Sequence, residues 1–250
     1  MRGALQIAAS WLFTLAFGVS ACALTFLTLG LSARWLTPRL LNFWGRTMLR
    51  IAGVTLELEG GEHLNADAMK VATFNHGSLL DAFIITAIMP TGSVAALKRE
   101  ALYYPIVGVT VWMLGFLLID RGNTARAHRT MDRAAARMAR ERLTVFIAPE
   151  GTRHKTDALG AFKKGAFRLA LDSRAPLVPV VIDGAFRLHP PGRTITTPGV
   201  VRIRVLPPRD TRGFTEETLG EEAEALRALY VAELAKMRGE RQPAEAASAA

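Results

Sequence analysis

The 250-residue chain is long enough for one generous domain plus an appendage, and with half its residues hydrophobic and a mean hydropathy of +0.20 it is more apolar than a freely soluble protein. A single cysteine, Cys22, excludes an internal disulfide framework and fits a reducing compartment; the five histidines lack zinc-site spacing, so no metal is expected, and no Gly-x-Gly-x-x-Gly or P-loop supports nucleotide chemistry. The formal charge of +9 is unevenly placed, and without a nucleic-acid-binding module it points to a membrane surface rather than to nucleic acid.

From Gly3 to Ala33 no residue is charged. The run exceeds the ~20 residues of a spanning helix but is too short for two, so it reads as one tilted span or a membrane-embedded helix. A cleaved signal peptide would carry an apolar stretch of only ~7–15 residues. Val19-Ser20-Ala21-Cys22 resembles a lipoprotein cleavage box, but Leu24 to Leu31 stays apolar where a mature lipoprotein turns polar. A retained anchor is the expectation. Residues 34–50 then mix Trp35, Phe43, Trp44 and Met48 with Arg34, Arg39, Arg46 and Arg50, as a headgroup-zone segment does. The same spacing also describes an amphipathic helix packed on the domain. The arginine excess after the span, against Arg2 before it, places the remainder on the cytoplasmic side, of a bacterial inner membrane on this reading.

Val54 to Glu59 alternates strictly and predicts a half-exposed strand. Lys70 to Phe74 predicts a buried strand, and after Asn75-His76-Gly77-Ser78 an apolar helix is expected over 79–89, ending at Pro90. Ser93 to Leu97 and Phe116 to Ile119 read as further strands, with apolar Tyr104 to Leu114 between them. Residues 124–142 predict a helix carrying Arg126, Arg129, Arg133, Arg137 and Arg140, with Met131, Ala134, Ala135 and Met138 on another face. That stripe suits anionic lipid, an acidic carrier protein, coenzyme A phosphates, or plain solvent. Strands over 143–148, 177–182 and 200–206, a short helix opened by Phe162 to Gly165 and reaching Asp172, and an acidic amphipathic helix over 216–238 complete the pattern. The predicted fold class is α/β: a mixed, largely parallel sheet flanked by helices, with an N-terminal membrane-anchoring helical segment and the site at strand C-terminal ends. The expected boundaries are 1–50 for anchor and interfacial segment, 51–240 for the domain and 241–250 for a disordered tail.

His76 and Asp81 are the candidate catalytic pair. With Ser78 as N-cap, Asp81 falls in the first helical turn and His76 just before it. Five positions apart within a helix they would diverge by about 140°, but a residue outside the helix is free to turn back. An imidazole oriented by a carboxylate is a general base, contributing about 10² to 10⁴ in rate. Ser78-x-x-Asp81 is equally a capping box, which needs no chemistry. A nucleophilic Ser78 is disfavoured, since Leu80 stands where Gly-x-Ser-x-Gly has its second glycine. Pro149-Glu150-Gly151 alone is a turn signal.

In this order and spacing, five stretches resemble the glycerolipid (lysophospholipid) acyltransferase family, most of all its lysophosphatidate-acylating members. Asn75-His76 with Asp81 match Asn-His-x-x-x-x-Asp; Gly115 to Arg121 match the apolar strand ending in arginine; Pro149-Glu150-Gly151-Thr152-Arg153 match Phe-Pro-Glu-Gly-Thr-Arg, with Ala148 replacing the phenylalanine. Phe162 to Gly165 and Val178 to Val181 match the downstream elements. The resemblance spans about Val54 to Leu206. It implies acyl transfer from a coenzyme A or acyl carrier protein thioester to the free hydroxyl of lysophosphatidate or another lysolipid, without a cofactor. His76 and Asp81 would be catalytic. Arg121 and Arg153 would hold the acceptor phosphate, with Glu150, Gly151, Thr152 and Lys98 beside it. A non-catalytic lipid-binding membrane protein is the rival reading, and it has no use for the His76/Asp81 base.

Overall fold

Every residue of Lys70–Phe74 is buried because alternate side chains feed two different layers. Val71 joins Met131, Met138, Phe167 and Leu226 on one face, whereas Ala72 and Phe74 join Leu80, Ile84 and Phe146 on the other. The computed structural model describes residues 2–27, 33–64, 69–103, 108, 111, 115–119 and 124–248. Lys70–Phe74 forms β2, at the middle of a seven-stranded sheet. Parallel to it on either side run β5 (Thr144–Ile147) and β6 (Leu177–Asp183), with Thr73 opposite Ile147 and Phe74 opposite Val180. Beyond β5 the parallel part continues through β3 (Ser93–Lys98) to β4 (Leu117–Ile119). On the other side β7 (Gly199–Val205) is antiparallel to β6, and β1 (Val54–Glu59) closes the edge parallel to β7. The sheet is thus mixed and largely parallel, as the strand and helix alternation predicts. The C-terminal ends of β2, β5 and β6 meet on one edge, the usual place for a site in such sheets.

One face is covered by α2 (Ala33–Ala52) and α3 (Leu80–Ile88). The other is covered by α4 (Thr124–Glu141), α5 (Gly165–Ser173) and α7 (Leu219–Ser248), while α6 (Ala185–Leu188) is a single turn after β6. The arginines of α4 therefore lie in the layer opposite α2. Arg129 and Arg133 are exposed, while Arg137 binds the Gly115 carbonyl and Glu141. Helix α7 is continuous to Ser248, within the stretch 241–250 that the sequence reads as a disordered tail; Ala and Glu, common there, are good helix formers.

The N-terminal helix α1 (Arg2–Leu27) packs antiparallel on α2. Gln6 donates to the Ile51 carbonyl at 3.4 Å, Trp44 to Thr14 at 3.3 Å, and Phe13 and Phe17 meet the rings of Phe43 and Trp44. Helix α2 in turn caps α3: Asn42 donates to the Thr86 and Met89 carbonyls at 2.5 and 3.0 Å, and Arg46 to Ala87 at 3.3 Å. These are the carbonyls that a helix C-terminus leaves without intrahelical partners. The reading of 34–50 as an amphipathic helix packed on the domain fits, because α2 buries Leu41, Met48 and Leu49 while Arg39, Phe43, Arg46 and Arg50 stay exposed. The opposite stripe of α1, with Leu5, Trp11, Leu12, Leu15 and Val19, is an exposed apolar patch. Within it Gly3–Ser20 is long and apolar enough to cross a membrane.

Candidate active site

Where β2 ends, the chain leaves the sheet between β5 and β6, and polar side chains fix the turn. Asn75 accepts the Ile182 N–H and donates to the Ile182 carbonyl, both at 2.8 Å, which stitches the turn to β6. Ser78 Oγ accepts the Leu80 N–H at 3.1 Å and donates to the His189 carbonyl at 2.7 Å. Asp81 sits in the first turn of α3 with only 1% exposure. Its Oδ2 accepts the Ser78 N–H and meets His76 Nδ1, each at 2.9 Å. Since His76 precedes the helix, the chain turns it back over the helix start. The capping and catalytic readings are thus one arrangement, served by one carboxylate oxygen.

That bond decides the chemistry of the imidazole. With Nδ1–H donated to Asp81, Nε2 is the nitrogen left to accept a proton, and it has no partner among the described residues. The His76 side chain is 26% exposed, so a substrate can reach it. Its ring lies edge-on to Phe74. The Gly77 amide, next to it, has no partner among the described residues either.

Behind the turn lies Glu150, 3% exposed, on the segment that leaves β5. Its Oε1 accepts the His76 backbone N–H at 2.7 Å and its Oε2 the Gly160 N–H at 2.9 Å. Burial pushes this carboxyl above the usual range, and the two amides pull it partly back. Glu150 therefore holds the backbone of the base. Gly151 has a φ of +72°, a left-handed turn that glycine takes without strain. A Cβ there would meet the Lys163 side chain at 3.1 to 3.3 Å.

The remaining sequence candidates divide. Thr152 and Arg153 are exposed beyond Gly151. The imidazole of His189 titrates low because it is buried and because Arg153 and Arg193 are near. Arg153 thus lies close to the residue whose carbonyl holds Ser78. Lys98 is exposed at the end of β3, opposite Ile119 of β4. Arg121 falls two positions past Ile119 and lies outside the described residues. Among the described residues no group of three His, Cys, Asp or Glu could hold a metal ion.

One cluster beside the site has no motif in the sequence. Asp183, at the end of β6, accepts from Arg187 at 2.7 Å and from Arg238 Nε at 2.9 Å; Arg238 also binds Asp157 at 2.9 Å. Gly77, Asp157 and Arg238 line the same small pocket as His76. Burial pushes the Asp183 carboxyl up, but the two guanidiniums outweigh it and hold the group below the usual range. A depressed carboxyl adds stability above its unfolded pKa of about 3.9, and that contribution fades as pH falls through the folded value. Arg238→Gln is thus expected to cost about 1–2 kcal/mol at pH 7, with Arg187 still in place. In thermal unfolding the difference from wild type should shrink steadily below about pH 4.

The chain matches the family model described as Acyltransferase over residues 55–183. It is 33% identical over 187 residues to a 1-acyl-sn-glycerol-3-phosphate acyltransferase of Cocos nucifera, covering 75% of this chain and 60% of that protein. To the protein of the same name in Limnanthes douglasii it is 30% identical over 190 residues, covering 76% and 67%. The chain therefore spans about 60–67% of the length of these relatives. Among solved structures it resembles the 1-acyl-sn-glycerophosphate (LPA) acyltransferase PlsC of Thermotoga maritima. The TM-score is 0.78 at 25% identity, over 94% of this chain and 98% of that one.

Proposed function

Because this chain belongs to the acyltransferase family, we propose that it transfers a fatty acyl chain from a thioester to the free hydroxyl of 1-acylglycerol-3-phosphate, giving phosphatidate. The observation that carries this reading is the 2.9 Å bond between His76 Nδ1 and Asp81. A thioester is already activated, so no acyl-enzyme is needed. His76 Nε2 takes the proton of the acceptor hydroxyl as its oxygen attacks the thioester carbonyl. Negative charge develops on the former carbonyl oxygen, where the free Gly77 amide is a suitable donor. Collapse of the tetrahedral intermediate breaks the carbon–sulfur bond, and the leaving thiolate takes the proton from Nε2. The donor is the thioester of coenzyme A or of an acyl carrier protein. Arg153, with Arg121, holds the acceptor's phosphate, a group that suits a guanidinium fork.

The apolar stripe of α1 is in this reading the membrane anchor. The bilayer supplies the lysolipid, and the domain lies on the cytoplasmic side of a bacterial inner membrane.

The test is a panel of lysolipids. Membranes containing the protein are incubated with a labelled acyl thioester and lysophosphatidate, lysophosphatidylglycerol, an amino-acid lysolipid or lysophosphatidylcholine. Labelled phosphatidate is expected as the main product. Preferential labelling of any other product overturns the acceptor assignment.

A further inference from the structure

The residues that align the base do not end with Glu150. The Gly160 N–H that Glu150 Oε2 accepts belongs to the peptide unit whose carbonyl is Leu159 O. That carbonyl accepts from Arg227 Nη2 at 3.2 Å, and the Gly160 carbonyl accepts from Arg227 Nε at 2.9 Å. One guanidinium therefore grips two successive carbonyls, and Nη1 adds a bond to Glu224 of its own helix at 3.1 Å. The hydrogen bonds are continuous and converge on Glu150: Arg227 donates to the 159–160 peptide, that peptide donates to Glu150, and the backbone amide of His76 donates to the other oxygen of Glu150. Hydrogen bonds in series polarise one another, most of all when an ion terminates the series. Here a cation stands at one end of the peptide and a buried carboxylate at the other.

Helix α7 is anchored independently of this grip. The hydroxyl of Tyr230, fully buried, donates to the Thr73 carbonyl at 2.7 Å and accepts the Val180 N–H at 3.0 Å. The helix therefore stays docked on β2 and β6 when Arg227 is changed. Arg227 also lies outside residues 55–183, the stretch that matches the family model.

We propose that Arg227 is a positioning residue for the base, acting on His76 through the 159–160 peptide and Glu150. Its catalytic consequence rests on the function proposed above; its structural consequence does not. The experiment uses the full chain in lipid nanodiscs, as wild type, Arg227→Gln, Arg227→Lys, Glu150→Gln and the Arg227→Gln/Glu150→Gln pair. Hydrogen exchange of the His76 and Gly160 amides is followed beside the kinetics of lysophosphatidate acylation. Faster exchange at both amides is expected in Arg227→Gln, with β5 and β6 unchanged. The kcat should fall about tenfold, the size of one charge-assisted bond lost, while KM stays within about twofold. Lysine can reach one carbonyl but not grip two, so Arg227→Lys should fall between. In the Glu150→Gln background the same change should add little, because the two act in series. Wild-type exchange at His76 in Arg227→Gln overturns the proposal. So does an equal loss of kcat in both backgrounds. Should Arg227→Gln fail to fold, Arg227→Lys is read by the same two criteria. A wild type that acylates no lysolipid sinks the proposed function, and the exchange data still decide the role of Arg227.

Discussion

His76→Ala is expected to lower acyl transfer by about 10²–10⁴-fold, the range of a general base, while the melting temperature stays near that of the wild type. The asymmetry follows from the contacts. Among the described residues the imidazole has one hydrogen bond and one edge-on ring contact, and it is partly open to solvent, so little packing depends on it. Asp81→Asn is also expected to lose most of its activity, but it is the less clean probe. The carboxylate caps the Ser78 amide at the start of α3, and loss of a cap costs about 1 kcal/mol. Rates must be compared at equal amounts of folded protein in membranes. Near-normal turnover in His76→Ala would remove the base from the mechanism.

Arg153→Ala is expected to raise KM for lysophosphatidate about ten- to a hundred-fold and to change kcat less. A phosphate monoester carries close to two charges at neutral pH, and each charge-assisted contact contributes about 1.5–3 kcal/mol. The side chain is exposed just past the turn that holds Glu150, so its removal leaves the base intact. Lysophosphatidylcholine, which has no terminal monoester, should be a poor substrate whose slow acylation barely changes on the substitution. An equal effect of Arg153→Ala on both acceptors would separate Arg153 from phosphate recognition.

Periodicity made the layers legible. Short apolar runs became fully buried strands, since a strand covered on both faces has no polar side to show, and β2 and β6 fit that pattern. Strict alternation marked β1 as a half-exposed strand, and the structure puts it at the sheet edge, where Glu57 and Glu59 pair with Arg202 and Arg204. The His76/Asp81 pair was readable because both partners sit within one turn. Contacts between distant segments were not. Asn75 on Ile182, Arg238 on Asp183 and Arg227 on the 159–160 peptide join residues separated by 107, 55 and 67 or 68 positions. No local spacing signals such a bond. Glu150 shows the same limit: its motif was visible, but its hold on the His76 amide depends on β5 lying beside β2.

The edge strand β1 sets a timetable for synthesis. Its partner β7 lies 145 residues further along the chain, so at about 5–20 residues per second the ribosome needs roughly 7–30 seconds to deliver it. Until then β1 has no neighbour to pair with, and α1 and α2, which precede it, wait without a finished sheet. An apolar helix left in water for that long is an aggregation hazard, whereas a lipid surface shelters it at once. With α1 as the proposed anchor, the hairpin of α1 and α2 thus has reason to reach a bilayer before the sheet closes.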